Sequence, residues 1–128
     1  MNDEDRGKRL LVVDDDDDIC EIVAEVAEGV GFVVATISDA RVFEATYCEQ
    51  RPHVVVLDLN MPGTDGIELL RVLGENKSAA AVFLMSGVDN RTLASAQRLG
   101  KTYGLNMLGA LQKPIQISTL EDALSGCL

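Results

Sequence analysis

The chain has 128 residues, 47% apolar but only 4% aromatic, and a formal net charge of −10. That length and apolar content suit one domain with an aliphatic core and exclude global disorder. The acidity argues against direct nucleic-acid contact and against anionic membrane surfaces, and no apolar run nears the roughly 20 residues of a bilayer span.

The first residues, Met1 to Arg9, are polar and hold no apolar signal core, so the expected location is cytoplasmic. The cysteines Cys20, Cys48 and Cys127 are odd in number and lack CxxC spacing, so they read as reduced thiols. The single histidine, His53, stands just before a strand and reads as a strand-entry residue, not as the partner of a cysteine nucleophile.

Residues 9–13 read as an apolar strand, and Leu10-Leu11-Val12-Val13 runs straight into five aspartates, Asp14 to Asp18. Five adjacent like charges repel, so this segment calls for a helix N-terminus, a bound cation, or both. From Asp17 onward Ile19, Ile22, Val23, Val26, Ala27 and Val30 follow helical spacing, with Asp16 as N-cap and Gly29 and Gly31 bracketing the end. Phe32 to Ile37 is rich in β-branched residues and reads as a second strand. Ser38-Asp39 then caps a second helix ending near Gln50. Arg51-Pro52 punctuates, and a third strand over 54–58 again stops at an aspartate, Asp58. Asn60 to Gly66 is dense in turn residues, and Ile67, Leu70 and Leu73 mark a third helix closed by Gly74. A fourth strand over 80–86 stops at Ser86-Gly87. Asn90 caps a fourth helix carrying Leu93, Ala96 and Tyr103. A fifth strand over 107–112, with the buried-looking run Leu108 to Leu111, leads into Gln112-Lys113-Pro114. Ile117, Leu120 and Leu124 mark a last helix.

Continuous apolar strands alternating with amphipathic helices predict a parallel sheet covered on both faces. The reading is one domain over residues 1–128, with a structured core of about 8–126. In such sheets the site lies beyond the carboxyl ends of the strands, where Asp14, Asp15, Asp58, Ser86 and Lys113 all stand. Three carboxylates with few other ligand types suit a hard cation, and Mg²⁺ favours such an open site. Asp58 could then attack phosphorus and form an acyl phosphate, with the metal offsetting the charge. The Ser86 hydroxyl can donate to a phosphoryl oxygen. Lys113 can pair with Asp58 before transfer and with the phosphoryl group after it. Gly87 leaves room beside that group, and Pro114 fixes the chain after the lysine.

At these residues the chain resembles the response-regulator receiver domain of bacterial two-component signalling. The matching segments are LLVVDDDDDI, VVVLDLNMPGTDGIELL, FLMSG and LQKPI, in the family's order, over about Lys8 to Leu124. The resemblance implies a flavodoxin-like, doubly wound five-stranded parallel sheet in strand order 2-1-3-4-5, an α/β/α sandwich. It implies phosphorylation of Asp58 by a sensor histidine kinase or a phosphotransfer protein. It implies Mg²⁺ held by Asp15, Asp58 and the backbone carbonyl of Asn60, with Asp14 reaching the metal through water, and a cis bond between Lys113 and Pro114. It makes the domain a signalling phosphoacceptor and not an enzyme in its own right. Its switch would be the face built from the fourth helix, fifth strand and fifth helix. Asn60 and Val88 would flank the phosphoryl group and tune its lifetime.

One departure stands out. The aromatic that family members often carry three residues before the lysine is here Ala110. The segment YGLNMLGALQKPI is similar to receivers attached to cyclic-di-GMP phosphodiesterase domains, which suggests that class as a downstream output. Other readings stay open. A receiver that no longer takes phosphate would be a pure interaction module. A haloacid-dehalogenase-type phosphohydrolase also uses a strand-end aspartate, but wants an acid where Asn60 stands. Asp14, Asp16, Asp18 and Glu25 fit positions 1, 3, 5 and 12 of an EF-hand loop, but Ile19 replaces its glycine.

Overall fold

The computed structural model describes residues 7–61, 66–87 and 90–128. Five strands alternate with five helices: β1 (Arg9–Val13), α1 (Asp17–Val30), β2 (Val33–Ile37), α2 (Phe43–Gln50), β3 (Val54–Asp58), α3 (Gly66–Glu75), β4 (Ala81–Ser86), α4 (Asn90–Thr102), β5 (Asn106–Gln112) and α5 (Ile117–Ser125). All strand pairs are parallel, in the order β2-β1-β3-β4-β5, as the sequence and the resemblance predict.

Side-chain alternation along each strand builds the two faces. Leu11, Val13, Val55, Leu57, Val82 and Leu84 point to one side and pack against Phe43, Leu69, Leu70, Leu73 and Ala96 from α2, α3 and α4. Leu10, Val12, Val54, Val56, Phe83 and Met85 point to the other side and meet Cys20, Val23, Ala27, Leu120 and Leu124 from α1 and α5. Every residue of the central strand β3 is buried. Its apolar side chains each contribute about 1.5–3 kcal/mol of burial, so the strand ending in Asp58 is firmly held.

The aspartate run divides as the capping rules require. Asp16 is the N-cap of α1, its carboxylate accepting from the Asp18 amide at 2.9 Å, while Asp17 and Asp18 lie in the first turn. Helix α1 begins at Asp17, which leaves no calcium loop, and Glu25 is an exposed residue well inside the helix. Gly31, at φ 125°, ends the helix, and its amide donates to Ala27 and Glu28. Gly29 is inside the last turn and Val30 is the last helical residue, so the two glycines bracket the helix end as the sequence predicts. The buried stripe is Cys20, Val23 and Ala27, whereas Ile22 is 37% exposed. The inward face is thus turned toward the small residues, which let α1 sit close to β1.

Other expectations differ. Asp39 caps a short 3-10 turn, Ala40–Val42, and not the second α-helix, which starts at Phe43 without a side-chain cap. The Arg41 guanidinium grips Asp39 at 2.8 Å and tightens that turn, while buried Phe43 anchors the helix start. Gly74 lies within α3, where a Cβ would come 2.8 Å from Tyr103 Cβ; its smallness serves the contact between α3 and the end of α4. In β5 only Leu111 is buried, and Leu108 is 49% exposed. The continuous apolar run Leu108 to Leu111 predicts a buried strand, but β5 is a sheet edge. A bulge opposite Val82 and Phe83 leaves Leu108 unmatched between Met107 and Gly109. The side chain of Asn90, expected as a cap, and Val88 lie outside the described residues, as does most of the 60–66 turn.

Gly66 opens α3 against the strand-end backbone. A Cβ there would lie 2.8 Å from Leu59 Cα and 3.2 Å from the Asp58 carbonyl oxygen. Backbone cannot swing aside as a side chain can. Gly66→Ala should therefore destabilise by about 1–3 kcal/mol despite alanine's helix preference. Urea unfolding checks this, and an unchanged or higher midpoint would contradict it.

Candidate functional site

The parallel register brings the strand ends together. Val13 pairs with Leu57, so Asp14 emerges beside Asp58. Asp58 pairs with Met85, so Ser86 is one step beyond, and Ser86 pairs with Gln112, just before Lys113. Asp14, Asp58 and Ser86 are buried, with relative exposures of 0%, 1% and 2%, while Asp15 is exposed at the rim.

Buried carboxylates need partners, and each finds a defined set. Asp14 Oδ1 accepts from the Asp16 amide at 2.9 Å, and Asp58 Oδ1 accepts from the Asn60 amide at 3.0 Å. The other two oxygens share one cation: Lys113 Nζ lies 2.8 Å from Asp14 Oδ2 and 3.3 Å from Asp58 Oδ2. No well-aligned hydrogen bond reaches Asp14 Oδ2, so the ammonium offsets its charge without fully satisfying it. One lysine therefore serves two buried acids. Burial, then the Asp14 charge, raises the Asp58 pKa; the Asn60 amide and Lys113 act against the rise. Burial works against the Lys113 charge, yet Asp14 and Asp58 together lift its pKa above the usual lysine value.

Asp14, Asp15 and Asp58 can each present an oxygen within 4.8 Å of the others. Three carboxylates converging around one unsatisfied oxygen form a donor set suited to a hard divalent cation. The Ser86 hydroxyl donates to the Gly87 carbonyl at 3.2 Å, and the Ser86 carbonyl accepts from the Lys113 amide at 2.8 Å. The Lys113–Pro114 peptide is cis, in keeping with the resemblance. A Cβ at Gly87 would meet Asn60 Nδ2 at 3.7 Å, an ordinary contact, so none of the described residues demands a glycine there.

Cys20 escaped the sequence reading. Its Sγ lies 3.2 Å from the Asp14 carbonyl oxygen, in the floor of the pocket. Burial and then the nearby Asp14 charge push its thiol up to about 11, so it is not a nucleophile. The available signal was its spacing with Val23 and Ala27, which places it on the inward face of α1.

A cavity of about 740 Å³ lies at the opposite end of the sheet, with Lys8, Arg51 and His53 in its wall. In that wall the Lys8 ammonium answers a backbone carbonyl, Nζ donating to Cys127 at 2.7 Å. The acidic cluster lies elsewhere, at the carboxyl ends of the strands.

Residues 10–125 match the family described as the response regulator receiver domain. The chain belongs to that family. The receiver is 34% identical over 124 residues to the C4-dicarboxylate transport transcriptional regulatory protein DctD of Pseudomonas aeruginosa, covering 97% of this chain and 26% of that protein. It is 39% identical over 82 residues to the DNA-binding response regulator MtrA of Mycolicibacterium smegmatis, covering 64% of this chain and 36% of that one. The crystal structure of a response regulator from Colwellia psychrerythraea superposes with a TM-score of 0.81 at 36% identity, covering 93% of this chain and 94% of the other. The chain spans about a quarter to a third of the length of these curated relatives. It is thus the receiver domain of a two-component response regulator, a signalling domain of a class that partners with histidine kinases. MtrA is named as DNA-binding, so the expectation of no nucleic-acid contact applies to these 128 residues alone and not to relatives of greater length. Among the described residues no helix is long and apolar enough to cross a membrane.

Proposed function

We propose that this receiver takes a phosphoryl group on Asp58 from the phosphohistidine of a sensor kinase or phosphotransfer protein. The observation that carries the reading is the single ammonium of Lys113 shared by two buried carboxylates, Asp14 and Asp58, with Asp15 at ligand distance. An Asp58 oxygen attacks phosphorus, the P–N bond breaks, and its electron pair returns to the imidazole, which is left neutral or takes up a proton. Asp14, Asp15, Asp58 and the Asn60 carbonyl would hold Mg²⁺. The ion supplies charge compensation for the attacking carboxylate and the transferring group.

This chain's own residues do the rest. The Asn60 amide orients Asp58. Lys113 keeps the acceptor ionised and then pairs with the phosphoryl oxygens. Ser86 exchanges its Gly87 contact for a phosphoryl oxygen and draws the strand end with it. Because the Ser86 carbonyl is bonded to the Lys113 amide, that movement passes to β5 and so to the face of α4, β5 and α5. Phosphorylation should therefore shift amide resonances across residues 86–113, and identical spectra for both forms would remove the coupling. Ala110 is exposed on β5, so the readout uses backbone and aliphatic surface and not a buried aromatic.

The intact sites favour this reading over a phosphate-independent module or a phosphohydrolase. The names of DctD and MtrA support a transcriptional output in a longer protein over the phosphodiesterase class. Intact mass after incubation with acetyl phosphate tests the proposal. One phosphoryl group gained only with Mg²⁺ supports it; no gain with or without the metal contradicts it.

A further inference from the structure

Cys20 lies on the first turn of α1 beneath the acidic pocket, 5% exposed, and the phosphotransfer scheme gives it no task. Its Sγ is 3.2 Å from the Asp14 carbonyl oxygen and 3.8 Å from that of Ile37. The Asp14 amide donates to the same Ile37 carbonyl at 3.0 Å. The thiol thus sits where β1 and β2 end and the regular ladder stops, closest to the Asp14 carbonyl, while the Ile37 carbonyl already has the Asp14 amide.

The Asp14 carbonyl belongs to the planar peptide that also carries the Asp15 amide. Holding that oxygen fixes the plane, and with it the directions in which the chain enters Asp14 and leaves toward Asp15. Asp14 sends its carboxylate to Lys113, and Asp15 supplies the exposed arm of the acidic cluster. We infer that Cys20 is a positioning residue: its S–H, donated to the Asp14 carbonyl, sets how the Asp14 and Asp15 carboxylates converge on the cation pocket. This rests on the reading of that pocket as a Mg²⁺ site. The plain alternative is a small core residue, stacked with Val23 and Ala27, whose volume alone matters.

Three variants separate donor from volume. Cys20→Ser keeps a donor of similar size, Cys20→Val fills the space without one, and Cys20→Ala removes both. Mg²⁺ dissociation constants from calorimetry are read beside the amide shifts of Asp15 and Asp16 in metal-free protein. Cys20→Ser is expected to stay within about twofold of wild type, while Cys20→Ala and Cys20→Val weaken Mg²⁺ binding about three- to tenfold, the scale of one hydrogen bond. The Asp15 and Asp16 amides should move in Cys20→Ala and Cys20→Val and hold their places in Cys20→Ser. Wild-type affinity in both Cys20→Ala and Cys20→Val would overturn the inference, as would equal weakening in all three. Failure of wild type itself to bind Mg²⁺ at millimolar concentration would overturn the pocket reading instead, and the inference with it.

Discussion

Asp58→Asn is expected to lower phosphoryl incorporation to background and, in metal-free buffer near pH 7, to raise the melting temperature. The first effect follows from removing the only buried carboxylate at the end of β3. The second follows from charge. Asp14 and Asp58 are both buried and share one ammonium, so wild type carries one negative charge more than Lys113 can offset. An amide at position 58 leaves a one-to-one pair between Asp14 and Lys113 and can still accept from the Asn60 amide.

The sign with pH is definite. The folded pKa of Asp58 is raised above its ordinary 3.8 by burial and by Asp14. The folded state then holds this proton more tightly than the unfolded state, so its cost is present at neutral pH and shrinks as pH falls through the raised value. The stability gap between variant and wild type should narrow on acidification. Mg²⁺ should act the other way: at one hundred times its dissociation constant a ligand adds about 2.7 kcal/mol to the state it binds. Wild type gains this and Asp58→Asn gains less. Calorimetric scans at two pH values, with and without Mg²⁺, check both; a wild type more stable than the variant in metal-free neutral buffer would contradict the charge argument.

Lys113→Met carries the largest expected loss of stability. It removes the ammonium and leaves Asp14 and Asp58 facing each other in the interior. Removing one partner of a fully buried pair costs about 3–5 kcal/mol, and the partial exposure of this lysine reduces that to about 2–3 kcal/mol. The lysine's folded pKa is raised above 10.5, so its contribution is complete at neutral pH and lost only as pH rises through that higher value. On the acid side the contribution fades because Asp58, its pKa raised by burial, takes up a proton. The variant's deficit should thus be widest near neutrality, and Mg²⁺ should recover part of it by restoring positive charge. Denaturant unfolding at pH 4 and pH 7 reads the difference; an equal deficit at both would mean that methionine harms packing and not charge balance. The same variant should keep some phosphorylation and show a smaller shift of the α4, β5 and α5 face, since the ammonium link to Asp58 is gone while the backbone bond from Ser86 to position 113 remains.

The legible parts of this molecule were those set by local chemistry. Apolar runs stopping at Asp14, Asp58 and Ser86 gave the strand ends, and the register of a parallel sheet turned three strand ends into neighbours. Asp16 capped α1 as the aspartate run suggests, because N-capping depends on only a few adjacent residues. What sequence did not show depends on position in the sheet and on contacts distant along the chain. Leu108 to Leu111 has the composition of a buried strand, but its neighbours are on one side only, and no local pattern marks an edge. Gly74 looks like a helix stop until Tyr103, just past the end of α4, is seen packed against it. Cys20 reads only as a reduced thiol until its Sγ is placed against the Asp14 carbonyl.

The most direct test of the central claim is to locate the phosphoryl group. Borohydride reduces an acyl phosphate to the alcohol, so an aspartyl phosphate is converted to homoserine, which peptide mass spectrometry can place. After incubation with acetyl phosphate and Mg²⁺, homoserine should appear at position 58 alone. Homoserine at Asp14 or Asp15, or at no position in a protein that had gained phosphoryl mass, would contradict the account.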